Sequence, residues 1–97
     1  MLTGKQKSFL RSKANTLKPV FQIGKEGVTE EFVESVLSYL NKHELMKINI
    51  LQNSDVTFDM LRAAFEVCEI EVVQTIGKTI VIYKHSDNAK EPIEFER

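Results

Sequence analysis

The chain of 97 residues has no tryptophan, one cysteine, two histidines and two prolines. A single Cys68 excludes an internal disulfide, and with two widely spaced histidines it is too few for a zinc site, so we expect no metal and no cofactor. No run approaches the ~18 apolar residues that a membrane span needs, and the opening Met-Leu-Thr-Gly-Lys starts no secretory segment. We therefore expect a protein of the reducing cytoplasm with no membrane partner.

The charged residues are distributed unevenly along the chain. Apolar content of 42% and charged content of 28% are ordinary for a globular protein, and the length supports one domain. The net charge of −1 conceals a first quarter that has no acid, because all 14 Asp and Glu residues come after residue 25. A basic pole on a near-neutral domain is typical of nucleic-acid contact, although a solvated lysine-rich helix gives the same pattern. The six basic residues of this segment are Lys5, Lys7, Arg11, Lys13, Lys18 and Lys25.

Three stretches have the apolar spacing of amphipathic helices. Thr3 and Thr29 are plausible N-caps of the first two, and Pro19 ends the first. The polar turn that precedes the third offers further caps. The stripes that predict the three helices are Leu10, Ala14 and Leu17; Val33, Val36, Leu37 and Leu40; and Val56, Met60, Ala63 and Val67, with Leu61, Ala64 and Cys68 beside the last.

Strand patterns alternate with these helices. Residues 20–23 predict a short buried strand and residues 45–51 an alternating one, while 71–76 and 79–84 predict a hairpin that turns at two residues. The order α-β-α-β-α-β-β predicts an α/β fold, with a four-stranded mixed sheet and three helices. Both strand–helix–strand units should build parallel neighbours, with the last strand antiparallel. Residues 85–97 predict a tail, docked by Ile93 and Phe95.

Gly24-Lys25-Glu26-Gly27 separates the first strand from the second helix. Glycine at both ends permits positive φ and a close approach, and the loop leads to a helix N-terminus, which favours an anion such as phosphate. The sequence has no P-loop lysine and serine ending, so nucleotide hydrolysis is not indicated. Four residues with two glycines are also an ordinary turn, and Glu26 would repel phosphate. Both interpretations stay open on the sequence alone.

No combination of residues predicts an enzyme. His43 and Glu44 are adjacent, and adjacent residues of a strand point to opposite faces, so we predict that His43 is a surface residue at a helix end. Two histidines, one of them in the tail, offer no Ser-His-Asp arrangement. Among the aromatic residues, Phe9, Tyr39 and Phe58 are the candidates for base stacking whose burial is least certain.

Three segments together resemble bacterial YhbY-type proteins, which are single CRM domains (chloroplast RNA splicing and ribosome maturation). They are "LTGKQKSFLRSKANTLKPVFQIGKEGVTEEF", "HELMKINI" and "QTIGKTIVIYK", and "EPIEF" is a looser match. The resemblance implies a CRM-type domain over residues 1–84, followed by the tail. It also implies a fold similar to the C-terminal domain of translation initiation factor three. The implied partners are RNA, precursors of the large ribosomal subunit and ribosomal particles.

The resemblance also implies an RNA-binding face, made of a Gly-x-x-Gly loop and nearby basic residues. Two positions depart from the family pattern. Glu26 stands where a basic or neutral residue is expected, and Lys84 stands where many relatives have arginine, which loses a bidentate fork. The residues that correspond to this face are Gly24, Lys25, Glu26, Gly27, Lys5, Lys7, Arg11, Lys13, Lys18, Lys47, Lys78 and Lys84.

The sequence therefore predicts a non-catalytic, monomeric RNA-binding protein of large-subunit assembly, which recognises the phosphate backbone. The alternative is a protein-interaction module that docks an acidic partner through its basic N-terminal face. Basic residues that share one face with the Gly24–Gly27 loop would favour RNA, whereas scattered lysines would favour the protein partner.

Overall fold

The first helix begins at a reciprocal cap. The computed structural model describes residues 2–89 and Ile93. Helix α1 is Gly4–Ala14. The Gln6 backbone N–H donates to Thr3 Oγ1 (3.1 Å), while the Thr3 N–H donates to Gln6 Oε1 (2.9 Å), so two otherwise unpaired donors are satisfied at once. The helix ends earlier than predicted, and Leu17 lies outside it and is exposed.

Four strands form one mixed sheet, as the sequence predicts. Strands β1 (Phe21–Ile23), β2 (Leu45–Ile50), β3 (Glu71–Ile76) and β4 (Thr79–Tyr83) lie in the order β1-β2-β4-β3. Strand β1 pairs parallel with β2, and β4 pairs antiparallel with both β2 and β3. The sequence predicts a buried strand over residues 20–23, and this prediction is wrong in part. Val20 lies outside β1 and is exposed, and Ile23 is the one buried residue of β1.

One predicted neighbour relation is wrong. Strands β2 and β3 run parallel, but β4 lies between them. The side chains of β4 explain this position, because its last four residues, Ile80, Val81, Ile82 and Tyr83, are all buried. A strand that is apolar on both faces needs cover on both faces, which the centre of the sheet provides. The hairpin at Gly77, where φ is 56°, returns the chain to that position.

The helices cover the two faces of the sheet unequally. Helices α2 (Glu30–His43) and α3 (Phe58–Val67) pack on one face, around a cluster that includes Leu40, Ile48 and Phe65. Helix α1 packs alone on the other face, which we call the α1 face, and its Leu10 and Ala14 contact the inward side chains of β2, β3 and β4. None of the helices in the described part of the chain has the length and apolar character that a bilayer crossing requires.

The predicted stripe of α3 is wrong in phase. Met60 is 52% exposed and Val67 is 84% exposed, whereas Leu61 and Phe65 are fully buried. The helix begins after Thr57, whose Oγ1 accepts the Met60 N–H (3.2 Å), so Val56 precedes the helix and does not set its phase. The large Phe65 ring takes the core position, and Cys68 packs beside the same cluster.

The segment after β4 remains attached to the sheet. The Ile93 N–H donates to Glu44 Oε1 (2.8 Å), and the Ile93 side chain packs against the cluster on the α1 face. Phe95, the other residue predicted to dock the tail, lies outside the described residues.

Candidate nucleic-acid interface

The Gly24–Gly27 segment forms a hydrogen-bonded turn. The Gly27 N–H donates to the Gly24 carbonyl (3.1 Å), and Gly27 has a φ of 69°. Gly24 has no positive φ, so the two glycines have different roles. A Cβ added to Gly27 would lie 3.3 Å from Val56 Cγ2, whereas one added to Gly24 would lie 3.8 Å from Leu51 Cδ1. The fold therefore requires glycine at position 27 and not at position 24.

The centre of this turn faces solvent. Lys25 and Glu26 are both exposed. Within the part of the chain that the structure describes, the backbone N–H groups of Lys25 and Glu26 donate to no acceptor. Two adjacent free N–H groups beside an ammonium group are suited to an anion such as phosphate.

The second helix contributes less to an anion site than the sequence indicates. Thr29 caps α2, and its Oγ1 accepts the Phe32 N–H (3.0 Å). Glu30 and Glu31 occupy the first turn of α2, where they neutralise the positive end of the helix dipole. A phosphate would therefore bind the Lys25–Glu26 turn rather than the helix end.

Lys78 lies at the same end of the sheet as the loop. The Leu51 N–H donates to the Ile23 carbonyl (2.9 Å), and the Ile50 N–H donates to the Lys78 carbonyl (2.7 Å). These two bonds place the loop and the β3–β4 hairpin on either side of the carboxyl end of β2, about 10 Å apart at ~4.8 Å per strand. We call this region, comprising Gly24–Gly27 and the Gly77–Lys78 turn, the loop end.

A basic surface covers the α1 face. Leu45 belongs to the cluster under α1, so Lys47, two residues further along β2, points to the same face. Helix α1, which packs on this face, contains four basic residues and has no acid in its first turn. Lys47 is half-buried, and the α1 side chains are mostly exposed. The basic residues that the structure places on the α1 face are Lys5, Lys7, Arg11, Lys13 and Lys47.

Lys18 and Lys84 lie away from the loop. Lys18 is exposed in the connection between α1 and β1, at the opposite end of β1 from Gly24. The Lys84 Nζ donates to the carbonyl of Cys68 (3.1 Å) at the carboxyl end of α3. That bond offsets the negative end of the α3 dipole, and it holds the ammonium group on the side of the sheet opposite the α1 face.

The amino end of β2 contains a buried carboxylate that the sequence does not reveal. Glu44 has a φ of 66°, and its side chain is fully buried. The Ser86 N–H donates to Glu44 Oε2 (2.9 Å), and the Ile93 N–H donates to Oε1. His85 Nδ1 lies 3.1 Å from Oε2. We call Glu44 and these three contacts from the following segment the Glu44 end. The sequence offers no sign of it, since all three contacts come from 41 or more positions away.

The Tyr83 hydroxyl also hydrogen-bonds the Glu44 carboxylate. Burial, together with the nearby negative charge and that hydrogen bond, raises the pKa of Tyr83 to about 12. The phenol therefore stays neutral and remains a donor across the physiological pH range. The carboxylate then accepts hydrogen bonds from two backbone N–H groups, one imidazole and one phenol. Four donors are enough to offset its removal from water.

The sequence that forms these strands, the turn and the basic helix matches a known family. The CRS1 / YhbY (CRM) domain covers residues 2–84 of this sequence. The chain belongs to the CRS1 / YhbY (CRM) domain family. The resemblance stated from the three sequence segments is therefore confirmed, and the Gly24–Gly27 loop and the α1 face both lie inside the CRM domain.

Relatives of this CRM protein carry RNA-binding names. "Probable RNA-binding protein YqeI" of Bacillus subtilis is 46% identical over 92 residues, which is 94% of this chain and 96% of that protein. An "RNA-binding protein" of Haemophilus influenzae is 36% identical over 90 residues, 92% of this chain and 91% of that protein. The solution structure of the hypothetical protein SAV1595 from Staphylococcus aureus is similar with a TM-score of 0.71 and 43% identity, covering 99% of this chain and 98% of that one.

Proposed function

We propose that this CRM protein binds RNA through its phosphate backbone and assists assembly of the large ribosomal subunit. It acts in the cytoplasm as a monomer and catalyses no reaction. The observation that carries the proposal is the Lys25–Glu26 turn, whose free N–H groups and exposed ammonium lie at one end of a sheet with a basic face. The names of the CRM relatives support RNA as the ligand.

Two parts of the surface would share the binding. The loop end supplies short-range contacts, in which the N–H groups of Lys25 and Glu26 donate to one phosphate while Lys78 approaches a neighbouring one. The α1 face supplies a broader positive field through Lys7, Arg11 and Lys47. Contacts of this kind position RNA without reading bases, so selectivity would come from RNA shape and from neighbouring ribosomal proteins.

The decisive experiment changes the loop without changing its backbone. In the double variant Lys25→Asp with Glu26→Asp, both glycines remain, so stability should change by only about 0.5 kcal/mol, as for other surface substitutions. RNA affinity should fall at least ~10-fold, because the cation is lost and acids now face the phosphate. Thermal melting and RNA titration of the same samples measure both quantities.

Arg62→Asp is the matched control for that experiment. It changes the net charge by the same amount, but on α3, on the opposite side of the sheet from α1. RNA affinity of this control should stay close to that of the parent. If the loop variant binds as tightly as the parent at moderate salt, the Gly24–Gly27 segment is only a turn.

Salt dependence separates RNA from the alternative acidic protein partner. Neutralising about 4 to 6 phosphates of single-stranded RNA predicts a slope of log affinity against log salt of roughly −3 to −4. A flat response in RNA titration, with retained binding to an acidic protein surface, would favour the alternative.

The assembly role has its own test. The protein should sediment with precursors of the large subunit in gradients of cell lysate and should leave them when the salt concentration is raised, because phosphate contacts are screened. Sedimentation that is equal among free, precursor and mature fractions would contradict a role in assembly while leaving RNA binding intact.

A further inference from the structure

A cleft lies between the carboxyl ends of α1 and α2, away from the loop end. Its volume is about 660 Å³, and its apolar surface includes Leu45, at the start of β2, and Ile93. Lys13 lines it from α1, and Tyr39, Lys42 and His43 line it from the last turns of α2. The space is therefore open to solvent, apolar at its base, and edged by cations and rings.

Two of the rings are stacked. The centroids of Tyr39 and His43 are 4.3 Å apart, with the planes 30° from parallel. Tyr39 also meets Phe21 edge-on, with the ring centroids 5.9 Å apart and the planes at 64°. Phe21 and Tyr39 are partly buried against the core, so Phe21 restrains the Tyr39 ring, while His43 is exposed. An exposed ring held by a rigid neighbour is a suitable platform for a planar ligand.

Among the described residues, the charged side chains that line the cleft are basic, and the buried Glu44 carboxylate lies behind Ile93, from whose N–H it accepts a hydrogen bond. No acidic residue of the described chain lines the cleft. Neither Lys13 nor Lys42 forms an ion pair with any residue that the structure describes. Both lysines lie in the last turns of their helices and offset the dipoles there, and Lys13 Nζ also lies 5.7 Å from the centroid of the Phe9 ring. Neither interaction neutralises the charge, so both ammonium groups can still pair with a phosphate.

We propose, on the basis of the RNA binding proposed above, that this cleft binds one unpaired nucleotide of a single-stranded RNA segment. The base stacks on the Tyr39–His43 pair and covers Leu45 and Ile93. The phosphates on either side of it pair with Lys13 and Lys42. A positively charged groove with an aromatic platform is the usual means of holding single strands with little sequence preference, whereas an acidic peptide would use the lysines and leave the rings unused.

The cleft and the loop end would bind one strand together. Leu45 and Ile50 mark the two ends of β2, so the cleft and the loop lie about 17 Å apart at ~3.3 Å per residue. Phe32, close after the loop, meets Phe21 at 6.2 Å, so a row of rings runs along the edge of the sheet from the loop towards the cleft. A single strand on the order of 4 nucleotides or longer would span this distance.

Ring substitutions at the exposed position test the stacking. His43→Ala should weaken binding of a single-stranded oligonucleotide at least about fivefold, and His43→Trp should restore or exceed the parent affinity. Binding of a blunt-ended RNA duplex, which has no unpaired base to insert, should be unchanged in both variants. An oligonucleotide that carries 2-aminopurine should lose fluorescence on binding the parent, and should lose less on binding His43→Ala. Thermal melting confirms that each variant is folded.

A charge substitution tests the phosphate contact. Lys42→Glu should weaken binding of the single strand about fivefold or more, because it places an acid beside the phosphate. Arg62→Glu makes the same change of charge on α3 and should have little effect.

The outcomes separate this proposal from the general one. Unchanged single-strand affinity in His43→Ala, or an equal loss for duplex and single strand, would overturn base stacking. If the loop variant loses RNA while the His43 and Lys42 variants do not, the cleft proposal fails and RNA binding at the loop stands. If the parent binds no RNA at all, the proposed function itself fails. Binding of an acidic peptide that depends on Lys42, but not on the ring at position 43, would also overturn the nucleotide assignment.

Discussion

Polar groups at the two ends of β2 differ in their burial and in their hydrogen-bond partners. At the Glu44 end, a fully buried carboxylate meets donors from Tyr83, Ser86, His85 and Ile93. At the loop end, two backbone N–H groups have no acceptor in the described chain, and the side chains beside them are exposed. At one end of β2 the polar groups find hydrogen-bond partners within the described chain, and at the other end they need solvent or a ligand.

This difference separates stability from binding along one short element. A buried carboxylate without its donors would be very unfavourable, so the Glu44 end must stay assembled for the fold to persist. Solvent already satisfies the free N–H groups of the loop end, so replacing that water with a phosphate costs the fold nothing. Substitutions at the Glu44 end should therefore change the free energy of unfolding, and substitutions at the centre of the loop should change RNA affinity.

Removing the buried carboxylate should have the largest effect. Glu44→Ala leaves buried donors without an acceptor, and we expect a loss of about 3 to 5 kcal/mol in the free energy of unfolding. Urea denaturation of parent and variant measures it. The control is Glu69→Ala, because Glu69 also has a positive φ (60°) but is exposed. An equal loss in both variants would show that backbone conformation, and not the carboxylate, explains the result.

Alkaline pH should weaken the same end. The folded protein holds the Tyr83 proton up to a pKa of about 12, against 10.0 in the unfolded chain, so the folded state binds more protons between those values. The raised pKa of Tyr83 therefore stabilises the folded state fully below pH 10, and this stabilisation is lost as the pH rises towards 12. For a shift of this size it amounts to about 2 to 3 kcal/mol. Urea denaturation across pH 9 to 12 should show this fall. Tyr83→Phe should be less stable at neutral pH and show a shallower fall, and a slope identical to that of the parent would contradict the assignment.

The two glycines of the loop should differ in how much the fold depends on them. Gly27→Ala should destabilise the protein by about 1 to 3 kcal/mol, since φ at position 27 is 69° and the new Cβ would lie only 3.3 Å from Val56 Cγ2. Gly24→Ala should stay within about 0.5 kcal/mol of the parent, because its new methyl group meets only ordinary contacts. Thermal melting of the pair decides this, and equal losses would mean that both glycines are needed by the backbone.

A change of charge at the centre of the loop should have the smallest effect and act on binding alone. Glu26→Lys removes the only acid of the turn and should tighten RNA binding roughly 2- to 5-fold at low salt, with stability almost unchanged. Glu66→Lys, an exposed position on α3, carries the same change of charge away from the loop. RNA titration that shows the same gain in both variants would indicate a general charge effect with no special role for the loop.

Much of the fold was predictable because its signals are local. Thr3, Thr29 and the Gly77–Lys78 turn mark element boundaries within a few residues of themselves, and the confirmed strands follow their own alternation. The helix phase of α3 was not predictable in this way. Two stripes of similar apolar character run along it, and only contact with the sheet decides that Phe65 and not Met60 faces the core. The central position of β4 likewise depends on cover from both faces at once.

The candidate site was predictable in its residues more than in its arrangement. The Gly-x-x-Gly pattern and the basic first quarter can be read directly from the sequence, and they identify the loop and the α1 face. The separation of Lys84 from the loop comes from a bond to Cys68, 16 positions away. The Tyr39–His43 stack joins two helix positions whose separate roles in the sequence look ordinary. The bond between Lys84 and Cys68 therefore leaves no local pattern, whereas the Tyr39–His43 pair has the i, i+4 spacing at which side chains of one helix are neighbours.

The place of β4 has a consequence for how the chain acquires its structure during translation. The strand made last fills the middle of the sheet, so a nascent chain that stops before Thr79 has no partner for the inner edge of β2 or for β3. Folding must then wait for almost the whole polypeptide, and two apolar strand edges stay unpaired on the ribosome until it arrives. Proteolysis of nascent chains stalled on either side of β4 should show protection appearing in one step, after Tyr83 has emerged.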